Sequence, residues 1–242
     1  MASWLSAFAQ AQNGFYRFGG YHLAWVAAIT ALCIGAMRYV PCWTERTQRC
    51  AARGWTAAMA GSEMMRLAVL AAGGALHRGV LPLHLCSMAV WLCLLHAWTR
   101  WSWVGQTLYA LCLPGVCAAL LFPDWVMLPP WNYFCLHSFA IHGATAVYIT
   151  AQTAAGVIRP RRAAWYQPTL FLCAVLPVVY GMDRVWNVNY FFLLRPSSGS
   201  PLVWLEQWGR SWYLPSYAAG MLVLIWLMLT VGERTDRHRR GG

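Results

Sequence analysis

Seven charge-poor apolar stretches, each near the length that crosses a bilayer, constrain this chain more than any other feature. They run over Tyr21–Val40, Trp55–Ala75, Val80–Trp98, Trp103–Phe122, Tyr133–Ala155, Trp165–Met182 and Trp212–Val231. About 20 apolar residues are needed to span hydrocarbon as an α-helix. Soluble helices need a polar face, which disfavours a large soluble helical core. We therefore expect an all-α polytopic membrane bundle of about seven transmembrane helices.

Charge is sparse and unevenly placed. Only 10% of the 242 residues are charged, and all 18 basic residues are arginine. An ordinary soluble domain has about 25% charged residues. The arginines concentrate in alternate predicted loops and in the C-terminal tail: Arg38, Arg46, Arg49, Arg53, Arg100, Arg159, Arg161, Arg162, Arg234, Arg237, Arg239 and Arg240. Because positive charge marks cytoplasmic loops, this predicts an outer N-terminus and a cytoplasmic C-terminus, with no nucleic-acid partner.

The composition leaves no room for a soluble domain, so residues 1–242 are expected to form one membrane-embedded helical domain. Residues 1–20 are mildly amphipathic and predict an interfacial segment. Residues 183–211 are too polar for another span and too apolar for a solvated loop, which predicts an outer loop with a re-entrant or cavity-lining part. Residues 232–242 predict a basic cytoplasmic tail.

A proline, a histidine and a cysteine lie together in the stretch Gly79–Met88. Proline suits the first turn of a helix, so Pro82 predicts a helix start with His84 and Cys86 inside it. Such groups inside a hydrocarbon-length segment are costly and are functional candidates by default. The two side chains point about 160° apart on a regular helix. Any base for Cys86 is therefore expected from another helix.

Other polar groups lie inside the apolar stretches. Glu63 and Arg66 are three residues apart and so are helix neighbours. They predict either a mutually neutralising pair or a contact to a polar ligand. His142 lies about ten residues into its span, roughly 15 Å deep, and is either catalytic or a structural hydrogen-bonding group. The topology brings these groups toward the outer half of the bilayer, together with His22, Asn187 and Asn189.

Four patches of sequence resemble the YwaF-like integral membrane proteins of bacteria. In order along the chain they are Phe18–Leu23, Leu81–Cys86, His142-Gly143 after Pro123-Asp124, and Asn187–Tyr190 followed by Arg195-Pro196. Their order and spacing span nearly the whole chain. The resemblance implies a multi-helix bundle and a location in the bacterial inner, or cytoplasmic, membrane.

The similarity extends to the animal transmembrane protein 164, described as a phospholipid acyltransferase with a cysteine nucleophile, and more distantly to membrane hydrolases of the androgen-induced gene type. It implies that His84, His142, Asn187 and Asn189 supply the base and the polar lining. The animal protein reads Pro-Cys-His where this chain reads Pro82-Leu83-His84. Leu83 cannot attack an ester. Cys86, one turn deeper on nearly the same face, is our hypothesis for a shifted nucleophile.

Two functions of different classes follow from these residues. The first is a lipid-modifying acyltransferase or acyl-ester hydrolase whose partner is membrane phospholipid, with His84, Cys86 and His142 catalytic. In this scheme His22, Glu63, Arg66, Asn187 and Asn189 bind substrate. The second is a transporter or binding protein for a small polar or amphipathic ligand. A purely structural role for the polar core is a third interpretation. No cofactor or metal is expected, although three histidines could meet as ligands.

Overall fold

The computed structural model describes residues 14–197 and 199–241, and within them every regular element is helical. The longer helices are α1 (Gly20–Tyr39), α2 (Glu45–Ala72), α3 (Leu85–Thr99), α4 (Ser102–Thr107), α5 (Leu113–Leu121), α6 (Tyr133–Ala154), α7 (Tyr166–Trp186), α8 (Val203–Glu206) and α9 (Arg210–Gly241). A π-helical turn, Leu108–Cys112, joins α4 to α5. Short 3₁₀ turns cover Val40–Cys42, Arg78–Val80, Arg162–Ala164 and Tyr190–Phe192. The predicted all-α membrane fold is confirmed.

Each of the seven predicted stretches overlaps a helix, and among the described residues five helical segments are long and apolar enough to span. These five are Gly20–Cys42, Ser102–Leu121, Tyr133–Ala154, Arg162–Trp186 and Ser211–His238. The other two helices differ in kind. α2 has 28 residues but carries several charges, and α3 is apolar but has only 15 residues. Seven crossings and the orientation therefore stay predictions.

The start of α3 differs from the prediction. The helix begins at Leu85, and His84 is its extended N-cap residue rather than a residue inside it. The 3₁₀ turn at Arg78–Val80 precedes it, and Arg66 donates a 3.1 Å hydrogen bond to the Val80 carbonyl. This bond fixes the backbone ahead of Pro82 in a non-helical path. The proline rule placed the helix start too early because it could not include a contact from another helix.

The segment between α4 and α5 departs from α-helical geometry just before Pro114, in the π-helical turn. Pro114 has no N–H and cannot donate to the carbonyl four residues earlier, at Ala110. The turn Leu108–Cys112 lies at this position and widens the helix by one residue. Four of its five residues are almost completely buried, and two of these, Ala110 and Leu111, join the core against α7 and α9.

Two helix ends extend beyond their predicted limits. α7 continues to Trp186, so Asp183 lies in the helix and the outer segment starts four residues later than predicted. α9 continues to Gly241, so the described part of the basic tail is helical. Residues 1–13 lie outside the described residues. The interfacial, outer-loop and cytoplasmic assignments stay predictions.

α6 is the central helix. It packs against α1, α2, α3 and α5. Of the residues in the most apolar stretch of α6, 56% are buried inside the protein, compared with 6% in the α1 segment and 11% in the α9 segment. α1 and α9 therefore present most of their apolar surface outward, as lipid-facing helices do.

The loops gather at two ends of the bundle. At the arginine-rich end, which comprises loops 40–44, 100–101 and 155–165 with the end of α9, Arg100 donates to Glu45 at 3.2 Å. Arg49 also pairs with Glu45. The hydrogen bond and charge of Arg49, aided by Arg100, hold the pKa of Glu45 below its ordinary value. The arginine-poor end comprises loops 73–84, 122–132 and 187–209, where Tyr190 bonds to the Arg78 carbonyl.

We expect Gly143→Ala to destabilise the bundle by about 1–3 kcal/mol, the usual cost of overpacking. A Cβ at Gly143 would lie 2.8 Å from Ile29 Cγ1, across the α1–α6 contact. Gly61→Ala is the matched helical control, because a Cβ there meets nothing within 4 Å. Thermal unfolding in detergent measures both variants. Equal stability of the two, or no recovery when Ile29→Ala is added to Gly143→Ala, would contradict this close packing.

Candidate functional site

A buried ion pair joins the elements at the arginine-poor end. Glu63 of α2 accepts hydrogen bonds from Arg66 at 2.7 and 3.1 Å, and its side chain is 2% exposed. The Ser87 hydroxyl of α3 also interacts with this carboxylate. From α6, His137 Nε2 lies 3.8 Å from Glu63 Oε2. One carboxylate therefore connects three helices, as the neutralising alternative of the sequence analysis requires.

His142 is held in one ring orientation inside α6. Its Nδ1 lies 2.6 Å from the Ser138 carbonyl, and its ring stacks on Trp125 with centroids 5.1 Å apart. A carbonyl can only accept, so the proton is on Nδ1 and the lone pair of the neutral ring is on Nε2. The side chain is buried. This tautomer is the one that can accept a proton at Nε2.

His84 lies beside a loop that is distant in sequence. Its ring packs edge-on against Tyr190 with centroids 5.0 Å apart, and Phe192 lies 6.3 Å away. The side chain is within electrostatic range of Asp124, Arg66 and His142. The structure therefore brings two of the three predicted catalytic residues, His84 and His142, into one polar region.

Cys86 occupies the first turn of α3. The backbone N–H groups of Cys86 and Ser87 interact with its sulfur, and the carboxylates of Asp124 and Glu63 are within electrostatic range. The same two carboxylates are within range of His142. Asp124 and Glu63 therefore act on both Cys86 and His142, but no hydrogen bond joins the two side chains in the described part of the chain.

His22 has a different setting. Its Nδ1 accepts from the Phe18 N–H at 2.9 Å, so Nε2 carries the proton and donates to the Leu120 carbonyl at 2.7 Å. Both ring nitrogens are used within the protein. The Phe139 ring packs against His22 and against Trp125, which in turn stacks on His142. His22 therefore has no free ring nitrogen with which to make the predicted contact to a ligand.

The two asparagines lie directly after α7, and the side chain of Asn189 bonds to backbone there. Asn189 donates to the Arg195 carbonyl at 2.8 Å and accepts from the Leu194 N–H at 2.9 Å. Asn187 ends α7 in the left-handed conformation, with φ 53°. These contacts organise the loop that carries Tyr190. The predicted direct binding of substrate by either amide stays a prediction.

His137 belongs to this region and was not among the predicted site residues. It is 7% exposed, and its Nε2 is buried without a hydrogen bond among the described residues. His142 was selected for its depth in the predicted span, whereas His137 lies only four residues after the start of that span and so did not meet the same criterion. Tyr190 gave no such signal, because its role depends on the packing of a distant loop.

No grouping of three or more His, Cys, Asp or Glu side chains suited to a metal ion occurs in the described residues. The arrangement of His22, His84 and His142 as three ligands does not form, since both nitrogens of His22 are already bonded. What the site offers chemically is a proton acceptor at His142 Nε2, a thiol, and a neutralised buried charge pair.

The fold and this cluster define the class: a polytopic helical membrane protein with a buried polar site where helices and loops meet at one end. A family model described as the TMEM164 family matches residues 17–230. The chain therefore belongs to the TMEM164 family, which confirms that part of the predicted resemblance; the YwaF-like resemblance stays a prediction. Neither the curated proteins nor the solved structures contain a match.

We expect Glu63→Ala to destabilise the protein by roughly 3–5 kcal/mol, because it leaves the Arg66 guanidinium buried without its partner. The double variant Glu63→Leu with Arg66→Met should recover much of that loss by removing both charges. Glu45→Ala is the control, since Glu45 forms an exposed pair with Arg49, worth about 0–1 kcal/mol. Unfolding in detergent measures all three. A Glu63→Ala cost no larger than that of Glu45→Ala would contradict the role given to this pair.

Proposed function

We propose that this protein is a membrane-embedded enzyme that transfers or hydrolyses the acyl ester of a phospholipid taken from the outer leaflet. The observation that carries the proposal is His142, whose Nδ1 bond to Ser138 leaves Nε2 as a proton acceptor in the region of Cys86. A general base normally needs a second group that fixes its ring, and the Ser138 carbonyl has that function here. Family membership is consistent with lipid chemistry through the resemblance described above.

In the proposed reaction, His142 Nε2 takes the proton of the Cys86 thiol while the sulfur attacks the ester carbonyl carbon. A carbon–sulfur bond forms, the ester carbon–oxygen bond breaks, and the leaving lysolipid oxygen receives the proton from His142. Water or a lysolipid hydroxyl then attacks the thioester, and His142 again moves the proton. The backbone N–H groups at the start of α3 lie beside the sulfur and would stabilise negative charge there.

The position of Cys86 supports access to the ester group. It lies in the first turn of α3, at the arginine-poor end, and not in the middle of the bundle. Leu83, at the position of the relative's cysteine, lies two residues before α3 and packs in the core cluster with Tyr190 and Phe191. A water molecule activated by His142 is the alternative nucleophile within the same proposal.

The binding or transport alternative has less support. It would use the Glu63–Arg66 pair to hold a polar ligand, but these groups already bond to each other, to the Val80 carbonyl and to Ser87. A ligand would have to displace those contacts. The pair therefore fits a structural role better than a binding role.

We also propose that the chain crosses the bacterial inner membrane seven times. In this orientation the arginine-rich end faces the cytoplasm. Twelve of the 18 arginines lie at that end or in the helix ends that reach it. The positive-inside rule supports this arrangement. α2 and α3, which lie outside the five segments of sufficient length and apolarity, would cross as a pair packed against each other and against α6.

Removing either reacting group should abolish turnover without unfolding the protein. We expect His142→Gln to lower acyl transfer or release by about 10²–10⁴-fold, and Cys86→Ala to remove it together with any thioester adduct. His96→Gln and Cys93→Ala are matched controls, since both are buried on α3 and away from the site. The purified protein is incubated with a mixture of phospholipid and lysolipid. Mass spectrometry then measures the reaction products and any thioester adduct on the Cys86 peptide.

The outcomes separate the mechanisms. If His142→Gln loses activity while Cys86→Ala keeps full activity, the nucleophile is water and not the Cys86 thiol. Absence of turnover in the wild-type protein, with a polar or amphipathic ligand retained through purification, would contradict the enzyme and favour the binding alternative.

A single cysteine at residue 76 tests whether α2 crosses the membrane. Leu76 is 47% exposed in the loop after α2, and Cys42 is exposed in the turn before α2. In a chain otherwise free of accessible cysteines, an impermeant maleimide should label Leu76→Cys only from the outer side and Cys42 only from the cytoplasmic side. Labelling of both from the same side would contradict seven crossings.

A further inference from the structure

A lipid-sized groove lies at the arginine-rich end, away from the proposed catalytic site. It has a volume of about 1100 Å³ and lies between α9 and the turn that precedes α7. We call it the basic groove, and its residues are Arg162, Ala163, Trp165, Leu222, Val223, Trp226, Leu227, Thr230, Glu233, Arg234 and Arg237. No function discussed so far uses it.

The wall of the basic groove is an apolar stripe along α9. Leu222, Val223, Trp226 and Leu227 recur at helical spacing on one face, and each is 45–57% exposed. Thr230 adds little polarity, because its hydroxyl donates to the Trp226 carbonyl at 2.7 Å. From Leu222 to Arg234 the helix rises roughly 18 Å, which is close to one leaflet of a hydrocarbon core of about 30 Å.

The mouth of the basic groove is basic and held in place. Arg162, Arg234 and Arg237 surround it with a single carboxylate, Glu233. Glu233 accepts from the Arg162 backbone N–H at 3.1 Å and from Arg237 at 2.6 Å. This carboxylate ties the Arg162–Ala164 turn to α9. The mouth has three guanidinium groups but only one carboxylate, which is already hydrogen-bonded within the protein. Its net positive charge therefore suits an anion.

We propose that the basic groove binds one anionic phospholipid from the leaflet at the arginine-rich end. An acyl chain would lie along the Leu222–Leu227 stripe, and the phosphate would lie between the arginine side chains at the mouth. Arginine is well suited to a phosphate because its planar guanidinium donates two parallel hydrogen bonds. The combination of an apolar wall one leaflet long and a basic mouth distinguishes a lipid from a free phosphate. This site does not depend on the proposed acyl-ester chemistry.

Native mass spectrometry of the full chain, purified with an equimolar mixture of phosphatidylglycerol and phosphatidylcholine, tests the site. The wild-type protein should retain phosphatidylglycerol in preference. Arg234→Gln with Arg237→Gln should weaken that preference by roughly tenfold or more, since each surface arginine contributes about a factor of five to anionic lipid binding. Added salt should weaken the wild-type preference in the same direction.

The chain offers a closely matched control in Arg46→Gln with Arg49→Gln. These arginines have the same spacing at the same end of the bundle, and Arg49 pairs with Glu45 as Arg237 pairs with Glu233. The control should keep the preference for phosphatidylglycerol. Equal retention of the two lipids by the wild-type protein, or an equal loss in both double variants, would overturn the proposal.

A variant of the wall tests the acyl-chain part separately. Val223→Trp should fill the groove and reduce retention of both lipids, whereas Val231→Trp, also 57% exposed on α9 but outside the groove, should not. Unchanged retention in Val223→Trp would mean that the arginines bind anions without the groove, which also overturns the proposal.

Discussion

The Glu63–Arg66 pair is the interaction on which the arrangement of the arginine-poor end depends. Two charges in a buried setting are tolerated only when their hydrogen bonds are satisfied. Glu63 meets Arg66, Ser87 and His137, and Arg66 also reaches the Val80 carbonyl. Those contacts fix α2 relative to α3, to α6 and to the loop before α3. These same elements carry His84, Cys86 and His142. The ion pair therefore positions the site, although it takes no part in the proposed reaction.

A second set of polar contacts brings a distant loop to this site. Asp183 is completely buried, and its Oδ1 accepts from the Tyr190 N–H at 2.8 Å. Phe191 and Phe192 then take left-handed φ values of 53° and 57°, a conformation that costs energy in residues other than glycine. Tyr217 and Tyr213 of α9 hold their carbonyls by hydrogen bonds of 3.0 and 2.6 Å. The loop is thereby fixed with Tyr190 against His84.

Features that depend on neighbouring residues could be predicted from the sequence, whereas features that depend on contacts between distant residues could not. Helices α1 and α6 were located to within one residue at each end, because apolar length is a local signal. The start of α3 was misplaced because Arg66, on another helix, holds the preceding backbone. His22 was a good candidate by residue type, but its two hydrogen bonds go to Phe18 and Leu120. The second of these bonds joins residues 98 positions apart, and no pattern within a span predicts it.

The length of α3 gives a physical reason for the location of the site. A helix of 15 residues is roughly 22 Å long, whereas the hydrocarbon core is about 30 Å thick. If α3 crosses as proposed, the chain covers the difference with the non-helical residues Leu81–His84. Backbone of this kind is tolerated at membrane depth only where protein covers it or where it lines a cavity. The Arg66 bond to Val80 and the packing of Tyr190 on His84 provide that cover. In that arrangement the short helix would place His84 and Cys86 close to the hydrocarbon boundary, near the ester groups of the phospholipid that the proposed reaction uses.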